Sequence, residues 1–152
     1  RERPWLRLDL PPASFFLLDT RSQRQEHDRS ALPNRLTSAE QEQALRTWQK
    51  SLTGPGFLVL GQPPFLPDGD WRDYTLSNFR PEFDRLMEII EDSLRGKNDE
   101  GRPHDLVLIS GDIHTARHVR ATISGLPGRR LHELVTSPAS RVGPFLSGPS
   151  IE

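Results

Sequence analysis

The sequence predicts an α/β fold, in which a mixed β-sheet is flanked by helices. Short apolar runs of the kind found in buried strands occur at residues 15–19, 57–60 and 106–109. Two stretches with apolar residues at helical spacing separate these runs. After the third run, apolar and polar residues alternate, as in half-buried antiparallel strands. This order favours α/β layers with a sheet whose last part is antiparallel.

The first helix is predicted to open at a capping box. The run Thr37-Ser38-Ala39-Glu40 has the required S/T-x-x-E pattern, and the helix is expected to extend for about 15 residues to Leu52. Its apolar residues at helical spacing are Ala44, Leu45, Trp48 and Leu52. The run Gly54-Pro55-Gly56 is expected to stop it.

The second helix is predicted from about Arg80 to Arg95, because Pro81 suits a first turn. Its apolar stripe consists of Phe83, Leu86, Met87, Ile90 and Leu94.

A charged linker at residues 96–103 leads to the third strand. The two alternating strands that follow carry Val119, Ala121 and Ile123, then Leu131, Glu133 and Val135, and are joined through residues 125–128.

Composition excludes several classes of protein. The chain has 152 residues, which fits one domain, and its hydrophobic content of 34% predicts long exposed loops. A formal net charge of −1 argues against general nucleic-acid binding. There is no cysteine, so neither disulfides nor Cys-ligated zinc can form. No apolar run approaches the length of about 18–20 residues that a membrane span needs.

The main candidate site lies where the third apolar run ends, in the sequence S-G-D-I-H. Asp112 and His114 are two residues apart, so both side chains project to one face if the backbone stays extended. They would serve as metal ligands or as a general acid–base pair. The alternative is a strand-end aspartate that bonds backbone N–H groups beside an exposed histidine. His118 is expected to be an ordinary polar position in the next strand.

A second candidate follows the first apolar run, in L-L-D-T-R-S-Q-R. Arg21 and Arg24 could clamp a phosphoryl group, with Asp19 orienting one of them. A surface cluster of salt bridges is the alternative interpretation.

Other chemistry has weaker support. The loop with Asp68, Asp70 and Asp73 around Trp71 could ligate a hard cation but lacks EF-hand spacing, which favours a plain acidic loop. The sequence contains no G-x-S-x-G, P-loop or dinucleotide motif.

Six pieces in order resemble the carboxyl-terminal half of PhoD-like phosphatases, which are calcineurin-like metallophosphoesterases. They are F-F-L-L-D-T-R-S-Q-R (15–24), S-A-E-Q-E-Q-A-L-R-T-W-Q-K-S-L (38–52), F-L-V-L-G-Q-P-P-F (57–65), D-W-R-D-Y (70–74), L-V-L-I-S-G-D-I-H-T-A (106–116) and E-L-V-T-S-P-A-S (133–140). The D-T-R-x-x-R and S-G-D-x-H pieces are the most specific.

The resemblance implies a four-layer αββα sandwich and a metal-dependent phosphoester hydrolase. It implies a centre, usually dinuclear, of divalent or trivalent ions such as Fe, Mn, Ca or Zn, and a phosphoester substrate such as a small molecule, a lipid or a nucleotide. His114 would be a metal ligand, and Asp112 a ligand or a residue that supports one. Asp19 and Arg21 match the D-x-R element and would lie near the phosphate.

The resemblance also implies that residues 1–140 are the carboxyl-terminal part of a metallophosphatase domain. The Ser-, Gly- and Pro-rich composition from Pro138 onward predicts that residues 141–152 form a loose tail. The early aspartate-rich motifs of the superfamily would precede the D-T-R strand, yet only 14 residues precede Phe15. We therefore expect the chain to be part of a longer enzyme. The alternatives are a non-catalytic binding module on the same scaffold and a hydrolytic domain that uses Asp112 and His114 without metal.

Overall fold

The computed structural model describes residues 3–23, 36–66, 76, 79–111, 113, 116–126 and 128–136, and the structural statements that follow concern these residues. The described residues form six strands and two helices. In order they are β1 (Trp5–Leu10), β2 (Ala13–Leu18), α1 (Ala39–Lys50), β3 (Gly56–Leu60), α2 (Arg80–Leu94), β4 (Leu106–Ser110), β5 (Arg117–Thr122) and β6 (Arg130–Val135). The predicted α/β class is confirmed.

All six strands belong to one mixed sheet with the order β1-β2-β3-β4-β6-β5. Strands β2, β3, β4 and β6 run parallel, while β1 and β5 pair antiparallel at the two edges. The expected antiparallel end of the sheet is therefore present as the β5–β6 hairpin. Strand β1 was not predicted, although its alternation of leucine with charged residues is a strand pattern.

Both helices pack on the same face of the sheet. Helix α1 connects β2 to β3 and α2 connects β3 to β4, so both crossovers step across the sheet in one direction. Parallel crossovers are almost always right-handed, and two that step the same way place their helices on the same side. The core between helices and sheet is closed by fully buried side chains, among them Phe16, Trp48, Leu58, Ile90 and Leu108.

The opposite face carries no element of the described chain. Strand register aligns one row across it, from Leu6 through Leu17, Val59, Ile109 and Leu134 to His118. Among the described residues, every large apolar side chain that is exposed lies on this face: Leu6, Leu8, Leu10, Leu17 and Leu134. Phe15 and Phe57 stack on it with ring centroids 4.7 Å apart. We call this the open face.

Helix α1 begins one residue later than predicted. Its N-cap is Ser38, whose hydroxyl accepts from the backbone N–H of Gln41 at 3.2 Å while the Gln41 side chain accepts from the Ser38 N–H at 2.8 Å. The capping box is thus Ser38–Gln41 rather than Thr37–Glu40, because Gln serves at the third position as well as Glu. The helix ends at Lys50, not Leu52.

Helix α2 spans the predicted range, with Arg95 as its C-cap. The linker that follows has hydrogen-bonded turns, since the Asn98 side chain both donates to and accepts from the backbone of Arg102.

Within the part of the chain that the structure describes, no helix is long and apolar enough to cross a membrane. The predicted tail at 141–152 lies outside the described residues.

The two faces predict different mutational costs. Leu108→Ala removes a fully buried side chain from a central strand and should lower the free energy of unfolding by about 2–5 kcal/mol. The matched change Leu8→Ala, on the open face, should cost less than about 1 kcal/mol. Urea denaturation of the 152-residue chain measures both. A similar cost for both variants would contradict an open face.

Candidate functional site

The candidate site is the edge of the sheet at which the parallel strands end. Open α/β sheets bind their ligands at this edge, because the loops that follow the strands meet there. Asp19 to Arg21 follow β2, Gly61 follows β3, Gly111 follows β4 and Thr136 follows β6. A backbone hydrogen bond of 2.8 Å from the Thr136 N–H to the Ser110 carbonyl joins the last two exits.

The Asp19 carboxylate shapes the first of these loops. One carboxylate oxygen accepts the backbone N–H of Arg21 at 2.8 Å and that of Ser22 at 2.9 Å. The other oxygen accepts the Ser22 hydroxyl. Asp19 thereby closes a tight turn directly after the strand, which is the usual work of an aspartate in a turn. The aspartate of the D-T-R sequence fixes the backbone that carries Arg21.

These hydrogen bonds set the charge state of Asp19. Partial burial acts to raise the pKa of the Asp19 carboxyl, but the bonds from the Ser22 hydroxyl and from the two backbone N–H groups outweigh it, and the Arg21 charge adds to them. The net effect is a pKa below its ordinary value of 3.8. The carboxylate is therefore ionised at neutral pH.

The next two residues join this loop to the exit of β3. The buried hydroxyl of Thr20 donates to the Gln62 side-chain oxygen at 2.8 Å. A Cβ on residue 61 would lie 2.7 Å from the Thr20 hydroxyl and 3.4 Å from Nε of Arg21. Only glycine therefore fits at Gly61, and its lack of a side chain lets Arg21 lie against the end of β3.

Gln41, at the start of α1, stabilises the loop that follows β2 through buried hydrogen bonds. Its side chain is fully buried and its amide donates to the carbonyls of Asp19 at 2.6 Å and Pro4 at 3.0 Å. Gln41 thus ties the amino end of α1 to the exit of β2 and to the entry of β1. The positive end of the helix dipole is thereby held at the same edge, where it favours anions.

A buried carboxylate also holds the chain segment that leads into α1. Glu82 of α2 accepts the backbone N–H of Leu36 at 2.7 Å and of Thr37 at 3.3 Å. Burial raises the pKa of the Glu82 carboxyl above its ordinary value, although the two backbone donors and Arg85 act in the opposite direction. It borders a cavity of about 30 Å³, which is far smaller than the pockets that hold small-molecule ligands.

Glu133 on β6 was predicted only as an alternating strand position, yet it is completely buried on the helix side. Its carboxylate accepts from Nη2 of Arg117 at 2.8 Å and from the backbone N–H of Phe65 at 3.4 Å. Arg117 also donates to the Phe65 carbonyl. This pair anchors the loop after β3 over the sheet. The sequence feature that could have indicated this role is a charged residue at an inward-facing strand position, between Leu131 and Val135.

A groove of about 390 Å³ runs from this edge onto the open face. Its lining includes the apolar side chains of Leu17 and Val59 together with Arg3, Asp19 and Gly61. The groove therefore combines apolar lining with charged groups of both signs, the Arg3 guanidinium and the Asp19 carboxylate.

The other predicted site residues lie outside the described residues. These are Asp112 and His114, Arg24, and the acidic loop with Asp68, Asp70, Trp71 and Asp73. Ser110 and Gly111 place the preceding strand end at the candidate edge. Within the described ranges, no three histidine or carboxylate side chains come together as a metal cluster. Asp19, which was predicted to orient an arginine near the phosphate, uses both carboxylate oxygens to accept hydrogen bonds within the turn.

Comparisons with known protein families, curated proteins and solved structures found no match to this chain.

The Asp19 turn predicts a pH-dependent contribution to stability. Asp19→Asn should lower the free energy of unfolding by about 1 kcal/mol at pH 7, because it removes charge-assisted hydrogen bonds. The folded-state pKa is below the unfolded one, so this stabilisation is present above the ordinary value of 3.8 and is lost as the pH falls through the lower folded value. Denaturation of both proteins at pH 7 and below pH 3.8 measures the difference.

Asp105→Asn is the control for this experiment. Asp105 is exposed and its carboxylate lies 3.5 Å from Arg129, so its replacement should change stability by less than about 0.5 kcal/mol. An Asp19→Asn effect that equals the control at pH 7 would contradict the role of the turn.

Proposed function

We propose that this chain contributes the carboxyl-terminal part of the active site of a metal-dependent phosphoester hydrolase. One observation carries the proposal: the D-T-R turn and the S-G-D-I-H sequence follow two parallel strands of the same sheet, β2 and β4, at the same edge. Only β3 lies between them, so the two strand ends are about 10 Å apart. A phosphoryl group and its catalytic groups span such a distance.

Arg21 is the residue we assign to the phosphate. The Asp19 turn fixes its backbone, and Gly61 leaves room for its side chain at the end of β3. The planar guanidinium presents paired donors that match two phosphoryl oxygens. Arg3 and the amino end of α1 border the same edge and add to its affinity for anions.

His114 is proposed as a metal ligand and Asp112 as a ligand or as the residue that orients one. An imidazole and a carboxylate are suitable donors for Fe, Mn or Zn, and a carboxylate alone for Ca. When bound, the metal would polarise the phosphoester and activate a water molecule. The residues of this chain would bind the phosphoryl group through Arg21 and hold the loops that carry the ligands.

The finer fold that we propose is a four-layer sandwich, in which a second sheet covers the open face. The apolar face of a sheet that has helices only on its other side is buried when another layer packs against it. Support comes from the exposed leucines, since Leu6 is 57% and Leu10 is 54% exposed on this face. Large exposed apolar surface of this kind marks a contact region.

The same apolar surface favours one other function, a binding module without catalysis. A chain that uses the open face to bind another polypeptide needs neither Arg21 nor His114. Association with a partner that survives Arg21→Ala and His114→Ala, without any hydrolysis, would favour this second function.

Hydrolysis of p-nitrophenyl phosphate and of its bis-ester by the full-length protein that contains this chain tests the proposal. Turnover should depend on added Mn, Fe, Ca or Zn and be lost in His114→Ala. Arg21→Ala should raise KM about 10–100-fold, because a charge-assisted contact of about 1.5–3 kcal/mol is removed, and Arg21→Lys should recover part of the loss.

Arg102→Ala is the matched control, since Arg102 is exposed and precedes β4 at the opposite edge of the sheet. It should leave KM unchanged. No metal-stimulated turnover with any of the four metals, together with no bound metal in elemental analysis, would overturn the proposed activity.

A further inference from the structure

The hairpin β5–β6 carries two histidines in contact on the open face. His118 is exposed and His132 is half-buried, and Nε2 of His118 lies 2.9 Å from Nδ1 of His132. Their ring planes differ by 6° and their centroids are 5.2 Å apart. The centroid separation exceeds the nitrogen–nitrogen distance by about the two ring radii. The two rings therefore lie nearly in one plane with these nitrogens facing each other.

We propose that His118 and His132 form a two-histidine binding site for a borderline divalent cation such as Cu²⁺ or Ni²⁺. Imidazole nitrogens are preferred ligands of these ions. Two nitrogens bound at right angles to one ion, with bonds of about 2.0–2.1 Å, lie about 2.9 Å apart. The separation in the structure equals this ligand spacing.

The strand ladder holds the two side chains in place. Strands β5 and β6 pair along their whole length, with His118 opposite Leu134 and His132 opposite Arg120. The histidines are therefore diagonal neighbours on one face, and the backbone cannot separate them without breaking the hairpin. Strand β5 is an edge strand, so an ion reaches the pair from the side even where the leucines of the open face are covered.

Binding requires only a change of ring orientation and of tautomer. In the hydrogen bond, one of the facing nitrogens carries a proton. In the bound state both rings are neutral, His118 with its proton on Nδ1 and His132 with its proton on Nε2. Each ring turns about its Cβ–Cγ bond so that the two lone pairs converge on the ion. Water completes the coordination, and no proton is lost overall.

Arg120 opposes the binding of a cation and provides an independent test. It lies on the same face directly opposite His132. Its positive charge raises the free energy of a nearby divalent ion, so Arg120→Gln should strengthen binding a few-fold at low salt.

Isothermal titration with Ni²⁺ and Cu²⁺ tests the site. The experiment uses the full chain with His114→Ala, so that the proposed hydrolytic centre cannot contribute. One ion should bind per chain, and Mg²⁺ should not compete. His118→Gln and His132→Gln should each weaken binding about 100-fold, because one imidazole alone loses the benefit of two linked ligands.

His104→Gln is the control, since His104 lies before β4 and its Nε2 is 3.9 Å from a carboxylate oxygen of Glu100, outside the histidine pair. It should leave the affinity unchanged, and circular dichroism verifies that every variant is folded. Unchanged affinity in His118→Gln and His132→Gln would overturn the proposal, as would the absence of Ni²⁺ and Cu²⁺ binding at about 1 mM. Either failure would leave the hydrolysis test unaffected, because that test depends on His114.

Discussion

The right-handedness of parallel crossovers determines on which face of the sheet the two helices lie, and the rest of the architecture depends on it. Strands β2, β3 and β4 follow one another across the sheet in a single direction, so right-handed connections put α1 and α2 on one face. The same succession brings the ends of the parallel strands to one edge. The candidate site and the open face are thus two consequences of one constraint. A chain that reversed its direction across the sheet would place one helix on each face and leave neither face open.

Carboxylates hold the loops at the candidate edge. Asp19 accepts the N–H groups of Arg21 and Ser22, Glu82 those of Leu36 and Thr37, and Glu133 that of Phe65. Each satisfies backbone donors that no strand or helix partner takes, which is required wherever such groups leave water. The charges of these three carboxylates therefore serve to hold the backbone of the loops in place. For this reason we propose Arg21, and not Asp19, as the residue of the D-T-R sequence that contacts the phosphoryl group.

Local patterns were sufficient to predict most of the elements. The apolar runs at β2, β3 and β4 and the stripe of α2 each determine one element, and alternation identifies the β5–β6 hairpin. Strand β1 was missed because its leucines point to the open face, where no neighbouring pattern requires them. The start of α1 was misplaced by one residue, since Thr37 and Ser38 are both N-cap residues and only packing of Gln41 selects Ser38.

The site was predicted less completely, because its contacts join residues distant in sequence. Nothing near Glu133 indicates that Phe65 and Arg117 will be its partners, and nothing near Asp19 indicates that Gln41 will bind its carbonyl. The histidine pair shows the same limit. His118 reads as an ordinary strand position until the register of β5 with β6 places His132 beside it.

Paramagnetic broadening by Mn²⁺ in amide NMR spectra tests the central claim most directly, with the histidine pair removed by His118→Gln and His132→Gln. The central claim is that a metal-dependent site lies at the carboxyl edge of the parallel strands. It predicts that the amides of Arg21, Gly61 and Gly111 broaden first, and that those of Ala13 and Gly128 at the opposite edge remain sharp. Broadening that begins at the opposite edge, or none at all, would contradict it.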